Sequence, residues 1–388
     1  MIHIVLFIIF SLSVIVVFYS YVLFPLILKI LASNKSFKFT QGNTLSGISV
    51  LISVFNEESV IHEKILSVLA SDYPSDKIEI LLGSDCSTDK TTQIIRELMT
   101  KESRIRLFDF KIRRGKPSVI NDLILEAKFP FVILTDANVY FEKSAIKNLQ
   151  QHFNDLSVGL VGANILNVGM RLDGISNQEK SYVERENLIK YNEGLIWGTM
   201  MGPFGGCYMI RKELYEKVPQ ESLVDDFFIS MKILEKKFKC RNELKAICYE
   251  DVPNEMEEEF RRKARISAGN FQNLFQFKHF LLNPFTAIGF CFISHKLIRW
   301  ITPIFIFSSL LCLFFLIPVN FIFAVLFCGE LLLLLSPLVD VFLRKVGLHF
   351  KLVRFVAYFS YMNLALIKGF FDFCRGIKSG VWVPTKRV

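Results

Sequence analysis

The sequence predicts an α/β protein, a mostly parallel sheet with flanking helices, set between membrane helices, and three observations carry that reading. From Ile48 to Gly162 short β-branched runs alternate with helical stretches, the pattern of βαβ units. Residues 2–28 contain no Asp, Glu, Lys or Arg, a run longer than the roughly 20 apolar residues that cross a bilayer. The last third of the chain holds further apolar stretches, and the 39 Phe and 52% hydrophobic content exceed what a soluble chain carries.

In chain order, residues 1–32 are expected to form a retained N-terminal transmembrane helix. A cleaved signal peptide would want a basic start, a shorter apolar core and a small-residue cleavage site, whereas the chain opens Met1-Ile2-His3-Ile4. Lys29, Lys35 and Lys38 follow that helix, so the positive-inside rule puts the middle domain, residues 45–279, in the cytosol, with the protein integral to a bacterial plasma membrane. The formal charge of +9 suits an anionic leaflet and equally an anionic substrate. Nucleic acid is not an expected partner, because the basic residues are not interleaved with aromatics on a recognisable motif. The eight cysteines are scattered without a CxxC pair, which argues for reduced thiols and against a zinc site.

The expected strands of the middle domain are Ile48–Val54, Ile78–Leu82, Ile105–Phe108, Phe131–Thr135 and Val158–Ala163. Between them Glu58–Ala70, Thr88–Thr100, Lys116–Ala127 and Lys143–Phe153 read as helices. Ligands of such sheets sit beyond the carboxyl ends of the strands, where Asn56, Asp85 and Asp136 fall. The stretch from about Gly169 to Glu250 is less regular, with Gly202-Pro203-Phe204-Gly205-Gly206 and a helix over Asp225–Phe238, and is expected to carry the acceptor side. A run from Glu255 to Arg265 then offers Glu257/Arg261, Glu258/Arg262 and Glu259/Lys263 as i,i+4 pairs, so a self-paired solvated face competes with a ligand for these cations.

Residues 280–300 are apolar, but His295, Lys296 and Arg299 at helical spacing predict a helix lying in the interface. Residues 301–374 hold the apolar segments Ile301–Ile317, Phe321–Leu343 and Leu352–Phe373. Three crossings would put Lys378, Lys386 and Arg387 of the basic tail, residues 375–388, on the outer side. Leu352–Phe373, with Arg354, Asn363 and Lys368, is therefore read as re-entrant or interfacial and the tail as cytosolic.

Several clusters carry chemistry. Ser53-Val54-Phe55-Asn56-Glu57-Glu58 and Gly83-Ser84-Asp85-Cys86-Ser87-Thr88-Asp89 put an amide and carboxylates around one crevice, suited to hydrogen-bonding a base and ribose, although a Ser- and Asp-rich turn is ordinarily a helix cap. Asp136 and Asn138 are two oxygen ligands at i and i+2 that can share Mg2+ or Mn2+, with an Asx turn as the plainer reading. The run Arg113-Arg114-Gly115-Lys116 can meet phosphates or solvent, and Lys116 is its member assigned to the nucleotide. Asp225-Asp226 opens a helix, where acidic residues are stabilising through the macrodipole alone; a pair also permits one carboxylate to be oriented while the other accepts a proton.

Taken together these residues resemble family 2 glycosyltransferases with the GT-A fold, in particular the membrane-embedded branch of cellulose, hyaluronan and poly-N-acetylglucosamine synthases, over roughly Gly47 to Gln272. The resemblance implies that Asn56, Glu57 and Asp85 hold a uridine and that Asp136-Ala137-Asn138 is the metal-binding DxD, with Asn in place of the second Asp. It implies that Gly205, Gly206 and Cys207, in Phe204-Gly205-Gly206-Cys207, belong to the acceptor side. Val224-Asp225-Asp226 resembles the Thr-Glu-Asp motif whose last carboxylate is the base, which makes Asp226, with Asp225 beside it, catalytic. Arg262 and Arg265 are similar to the Q/RxxRW arginines that meet the diphosphate, with Ile266 where Trp is expected, a departure that fits addition of single sugars. Trp382-Val383-Pro384-Thr385-Lys386-Arg387 resembles tails of the branch. The implied activity is inverting, metal-dependent transfer from a nucleotide sugar, UDP-linked, to a glycan or lipid acceptor among membrane lipids. The alternatives are a transferase that adds one sugar to a polyprenyl phosphate or lipid, and a transporter or sensor that only binds the nucleotide sugar.

Overall fold

The computed structural model describes residues 1–39, 45–168, 176–251, 256–348, 350–377 and 379–381. Trp382–Arg387 of the tail, Lys378 and Glu255 lie outside the described residues. The chain divides into two compact units, one of Met1–Ile27, Arg171–Glu179 and Pro253–Gly376, the other of Leu28–Met170, Lys180–Val252 and Ile377–Val388.

The second unit is built on one eight-stranded sheet. Its strands are β1 Ile48–Val54, β2 Ile78–Asp85, β3 Ile105–Phe110, β4 Phe131–Thr135, β5 Val139–Phe141, β6 Val158–Val168, β7 Cys207–Arg211 and β8 Lys239–Asp251. They lie in the order β3-β2-β1-β4-β7-β6-β8-β5. In the half β3-β2-β1-β4 every pair is parallel, and β1 and β2 are buried along nearly their whole length because helices cover both faces. Beyond it β7 runs antiparallel to β4 and β6, and β5 antiparallel to β8, so the sheet as a whole is mixed. The expected strands β1 and β4 have the expected ends, while β2, β3 and β6 run further, β2 far enough to include Asp85. The expected helices are shorter at their starts, Ile61–Leu69 and Thr91–Met99, because Asn56–Glu58 and Ser87–Lys90 are engaged in loop hydrogen bonds. The core lies against the inner strands, with Ile48, Val50, Ile52, Ile80 and Ile133 fully buried.

Two helices are long and apolar enough to cross a membrane: Ile2–Ala32, of which residues 28–32 fall in the second unit, and Phe321–Lys345 in the first. A third candidate is the pair Ala287–Trp300 and Thr302–Leu316, which meet at a 59° bend. Many of their large apolar side chains are exposed, among them Phe307, Phe314, Leu332 and Phe342, as a lipid-facing surface requires. Two π-helical turns, Tyr19–Leu23 and Phe292–Leu297, are joined by side chains that reach each other's backbone: Ser20 Oγ donates to Ser294 O at 2.7 Å, and Arg299 Nη2 to Ser20 O at 3.3 Å. Lys351–Cys374 is one unbroken helix that packs on Met256–Gln276, where Ser267 Oγ donates to Leu366 O at 3.0 Å.

Candidate active site

The crevice at the carboxyl ends of β1, β2 and β4 is tied together from three loops. After β1, Asn56 takes a positive φ of 54° and its amide side chain grips the next loop: Thr88 N donates to Asn56 Oδ1 at 2.8 Å and Asn56 Nδ2 donates to Thr88 Oγ1 at 3.3 Å. Glu57 N donates to Thr91 Oγ1 at 2.8 Å, so its backbone is fixed while its side chain is half-buried. One crevice wall is Phe55, with the Arg113 guanidinium 3.5 Å above its ring centroid. Neither Phe55 nor Arg113 stood out for this pairing in the sequence, since 58 residues separate them, as their numbers show.

Asp85, at the end of β2, is buried and directs both carboxylate oxygens at one loop. Oδ1 accepts from Arg114 N and Oδ2 from Gly115 N, each at 2.8 Å. These bonds hold Gly115 at a φ of 87°, which a side-chain-bearing residue rarely adopts, and a Cβ there would also lie 3.2 Å from the Gly380 backbone. The turn starts the helix Lys116–Glu126 and aims Lys116 back into the crevice. Each oxygen of Asp85 keeps a second lone pair for a ligand donor.

Lys116 is where the acidic residues meet. Its Nζ lies 2.6 Å from Asp136 Oδ1 and 3.9 Å from Asp225 Oδ2. Burial by itself would lower the pKa of this ammonium, but the charges of Asp136, Asp225 and Asp226 outweigh burial and hold it above the ordinary lysine value. Asp136 follows β4, and its turn is fixed from below by Lys64, a fully buried lysine on the helix Ile61–Leu69. Lys64 Nζ donates to Thr135 Oγ1 at 2.8 Å and to Val139 O, and burial lowers its pKa to about 8. Lys64 was invisible as a site residue because on the sequence it is one polar position in an amphipathic helix.

The antiparallel register of β4 and β7 sets Thr135 opposite Cys207, which brings the Gly205-Gly206 turn onto the same crevice. Gly206 O accepts from Asp136 N at 3.1 Å and from Thr135 Oγ1 at 2.7 Å. A Cβ on Gly205 would stand 3.2 Å from Asp226 Oδ2, so only a glycine leaves that carboxylate open from this side. The Cys207 thiol is buried in the core, and what Cys207 offers the crevice is backbone.

Asp225 and Asp226 occupy the first turn of the helix Asp225–Glu235. Burial, then the charge of Asp225, raises the Asp226 pKa to about 6 against the opposing pull of Lys116, Lys190 and the Phe227 N–H. Lys190, a buried lysine on the helix Ser176–Trp197, also sits 3.4 Å over the Phe204 ring centroid. Beneath the pair lies Tyr208, fully buried, its phenol raised well above its ordinary pKa by burial first and then by Asp225 and Asp226. Among the described residues neither the Tyr208 hydroxyl nor Asp225 Oδ2 has a hydrogen-bond partner.

The structure thus brings Asn56, Asp85, Lys116, Asp136, Gly205, Asp225 and Asp226 to one end of one sheet. Arg262 and Arg265 belong to the other unit, on the helix Met256–Gln276. There Arg261 takes both Glu257 at 3.6 Å and Glu258 at 3.1 Å, while Arg262 pairs with the buried Glu259 at 3.2 Å and the buried Glu179 at 3.5 Å. Lys263 joins the same two carboxylates, at 3.2 Å and 3.1 Å. The expected Glu258/Arg262 pair is replaced by this network because Glu179 arrives from a distant helix.

The crevice fits a divalent cation by the chemistry of its donors. Asp136 and Asn138 offer hard oxygens, the Asn138 side chain makes no hydrogen bond among the described residues, and the Lys116 ammonium already lies between two carboxylates as a cation would. No group of three His, Cys, Asp or Glu side chains is preformed among the described residues.

Residues 49–219 match the family described as Glycosyl transferase family 2, and residues 174–364 match Glycosyl transferase family group 2. Poly-beta-1,6-N-acetyl-D-glucosamine synthase of Staphylococcus epidermidis is 25% identical over 241 residues, 61% of this chain and 57% of that protein. The synthase of the same name from Staphylococcus aureus strain COL is 26% identical over 237 residues, 59% of this chain and 56% of that protein. The chain therefore spans somewhat over half the length of the curated relatives it matches. In fold it is similar to a mannosyltransferase from Pyrobaculum calidifontis in complex with GDP-Man and Mn2+, with a TM-score of 0.71 at 18% identity over 94% of this chain and 99% of that one. The fold is the Rossmann-like GT-A fold with added apolar helices.

Proposed function

We propose that this chain, which belongs to glycosyl transferase family 2, is an inverting glycosyltransferase that moves a sugar from a nucleotide sugar, UDP-linked, to a glycan or lipid acceptor at a membrane. The observation that carries the reading is the convergence of Lys116, Asp136 and Asp225 on one crevice, with Asp226 beside them at a pKa of about 6. A carboxylate so placed is ionised at neutral pH and yet basic enough to take a hydroxyl proton. In the proposed reaction the acceptor hydroxyl, approaching past Gly205, gives its proton to Asp226 as its oxygen bonds to the anomeric carbon. The bond from that carbon to the diphosphate breaks in the same displacement, which inverts the configuration.

Asn56, Glu57 and Asp85 would bind the nucleoside, with Phe55 and Arg113 as a stacking wall. Lys116 would meet the diphosphate, and Arg262 and Arg265 would add positive charge to it. Asp136 and Asn138 would hold Mg2+ or Mn2+, which when bound neutralises charge on the leaving diphosphate. Gly205, Gly206 and Cys207 would shape the acceptor side through backbone. We place residues 45–279 in the cytosol, residues 1–32 across the membrane, residues 280–300 in the interface and residues 375–388 as a cytosolic tail. An unbroken Lys351–Cys374 helix carrying Arg354, Lys368 and Asp372 supports an interfacial position for it within residues 301–374.

Ile266 in place of the expected Trp favours transfer of a single sugar to a lipid as the second reading. The test uses the full chain in membranes with a panel of radiolabelled nucleotide sugars and Mg2+ or Mn2+. A ladder of products means a polymer, and one chloroform-soluble product means a lipid acceptor. Nucleotide binding with no release of nucleoside diphosphate under any condition would overturn the transferase reading in favour of a binding protein.

A further inference from the structure

We propose that Lys116 is a built-in counter-cation that occupies the place between Asp136 and Asp225 until a nucleoside diphosphate arrives, so that divalent cation and donor bind as a pair and neither Mg2+ nor Mn2+ binds well alone. The inference rests on the metal-dependent reading above and adds a binding order to it. Its geometric basis is direct: Nζ is 2.6 Å from Asp136 Oδ1 and 3.9 Å from Asp225 Oδ2, on a side chain only 19% exposed. The position is imposed from the backbone, because Asp85 fixes the N–H groups of Arg114 and Gly115 and with them the first turn of the lysine's own helix.

A second observation shows that the place is not filled to satisfaction. Asp225 is 9% exposed, and its Oδ2 makes no hydrogen bond among the described residues, since 3.9 Å exceeds hydrogen-bond range. The Tyr208 hydroxyl, wholly buried, is likewise without a hydrogen-bond partner there. Buried oxygens left so are costly and mark a position that a further ligand completes.

Charge decides the order. A divalent cation entering alone must push the ammonium off Asp136, and a mostly buried ammonium without an anion is strongly disfavoured. A diphosphate removes that penalty, for it offers Lys116 new oxygens while supplying the remaining ligands of the cation. The coupling is reciprocal: the nucleotide tightens Mn2+ by the same factor by which Mn2+ tightens the nucleotide.

The experiment measures Mn2+ binding to the full chain in detergent by electron paramagnetic resonance and calorimetry, without nucleotide and with UDP or GDP. We expect wild type to bind Mn2+ at least about tenfold more weakly alone than with nucleotide, the worth of one charge-assisted contact. Lys116→Met is expected to bind Mn2+ alone at least about tenfold more tightly than wild type, and Asp136→Asn in that background to lose the gain. Lys116→Arg, which keeps the cation and the helix start, should follow wild type. Equal binding of Mn2+ alone by wild type and Lys116→Met, or a nucleotide-free gain in Lys116→Arg as large as in Lys116→Met, overturns the proposal and leaves the metal-dependent reading standing. Nucleotide binding with no Mn2+ uptake by any variant overturns both.

Discussion

Replacing Asp226 by Asn separates the catalytic role proposed for it from its effect on the fold, because a carboxylate with a raised pKa is costly to the fold when ionised. Its pKa is lifted from 3.8 to about 6 by burial and by Asp225. The sign follows from linkage: a folded-state pKa above the unfolded one means the ionised form is the disfavoured one in the fold. The penalty is absent below pH 3.8, grows between 3.8 and about 6, and is complete above that. At about 1.4 kcal/mol per tenfold the full penalty would be about 3 kcal/mol, and solvent at this half-buried position reduces it to roughly 1–2 kcal/mol. Asp226→Asn should therefore raise the melting temperature by about 2–8 °C at pH 8, with the gain fading at pH 4. Turnover should fall by about 10²–10⁴-fold, the usual share of a general base, with nucleotide binding retained. Thermal unfolding at the two pH values, beside nucleoside diphosphate release, tests both. A variant no more stable than wild type at pH 8, or one with normal turnover, refutes the assignment of a half-buried base with a raised pKa.

Three further outcomes follow from the same geometry. The rate should show an acid limb near pH 6, falling as Asp226 is protonated, and Asp226→Asn should abolish that limb in whatever residual rate remains; a pH profile reads it. Phe55→Ala removes the ring under the Arg113 guanidinium and should weaken nucleotide binding by about 3–30-fold, measured by calorimetry with UDP. Gly205→Val puts branched carbon against Asp226 Oδ2, where even a Cβ stands at 3.2 Å. It should leave nucleotide affinity intact and cut transfer by about 100-fold, the cost of misplacing an acceptor by an ångström.

The sequence revealed the parallel half of the sheet because β1, β2 and β4 are buried on both faces and so read as short runs rich in Ile, Val and Leu. Strands β7 and β8 were hidden for the opposite reason. In β8, Lys239–Asp251, charged and apolar residues are mixed along a strand with a register shift, and β7 is five residues of which only Ile210 is β-branched. The site shows the same division. Carboxylates announce themselves in sequence, and Asp85, Asp136, Asp225 and Asp226 were legible as candidates by their place after strands or at a helix start. The groups that set their behaviour were not, because Lys64, Lys190 and Tyr208 act through burial, a property that emerges only when the elements pack.

That packing also shows why the acidic positions act as one device. Among the described residues Asp85 makes no hydrogen bond or ion pair with Asp136 or Asp225, yet its two oxygens hold the turn that places Lys116, and Lys116 is what stands between those two. Lys64 holds the Asp136 turn from the other side, and the register of β4 against β7 brings Gly206 O onto Asp136 N. A carboxylate at the end of β2 thereby controls charge at the end of β4 through backbone alone, and a substitution at Asp85 reaches Lys116 and Asp136 without touching either. The same logic separates the two basic clusters. Lys116 faces Asp225 Oδ2, an oxygen with no hydrogen bond among the described residues, and so has an unfinished electrostatic environment. Arg262 shares Glu259 and Glu179 with Lys263, two buried carboxylates matched by two cations, and gives up ion pairs to engage a ligand. On the function proposed above, the crevice lysine is, of the two, the cation whose rearrangement an incoming diphosphate would itself compensate.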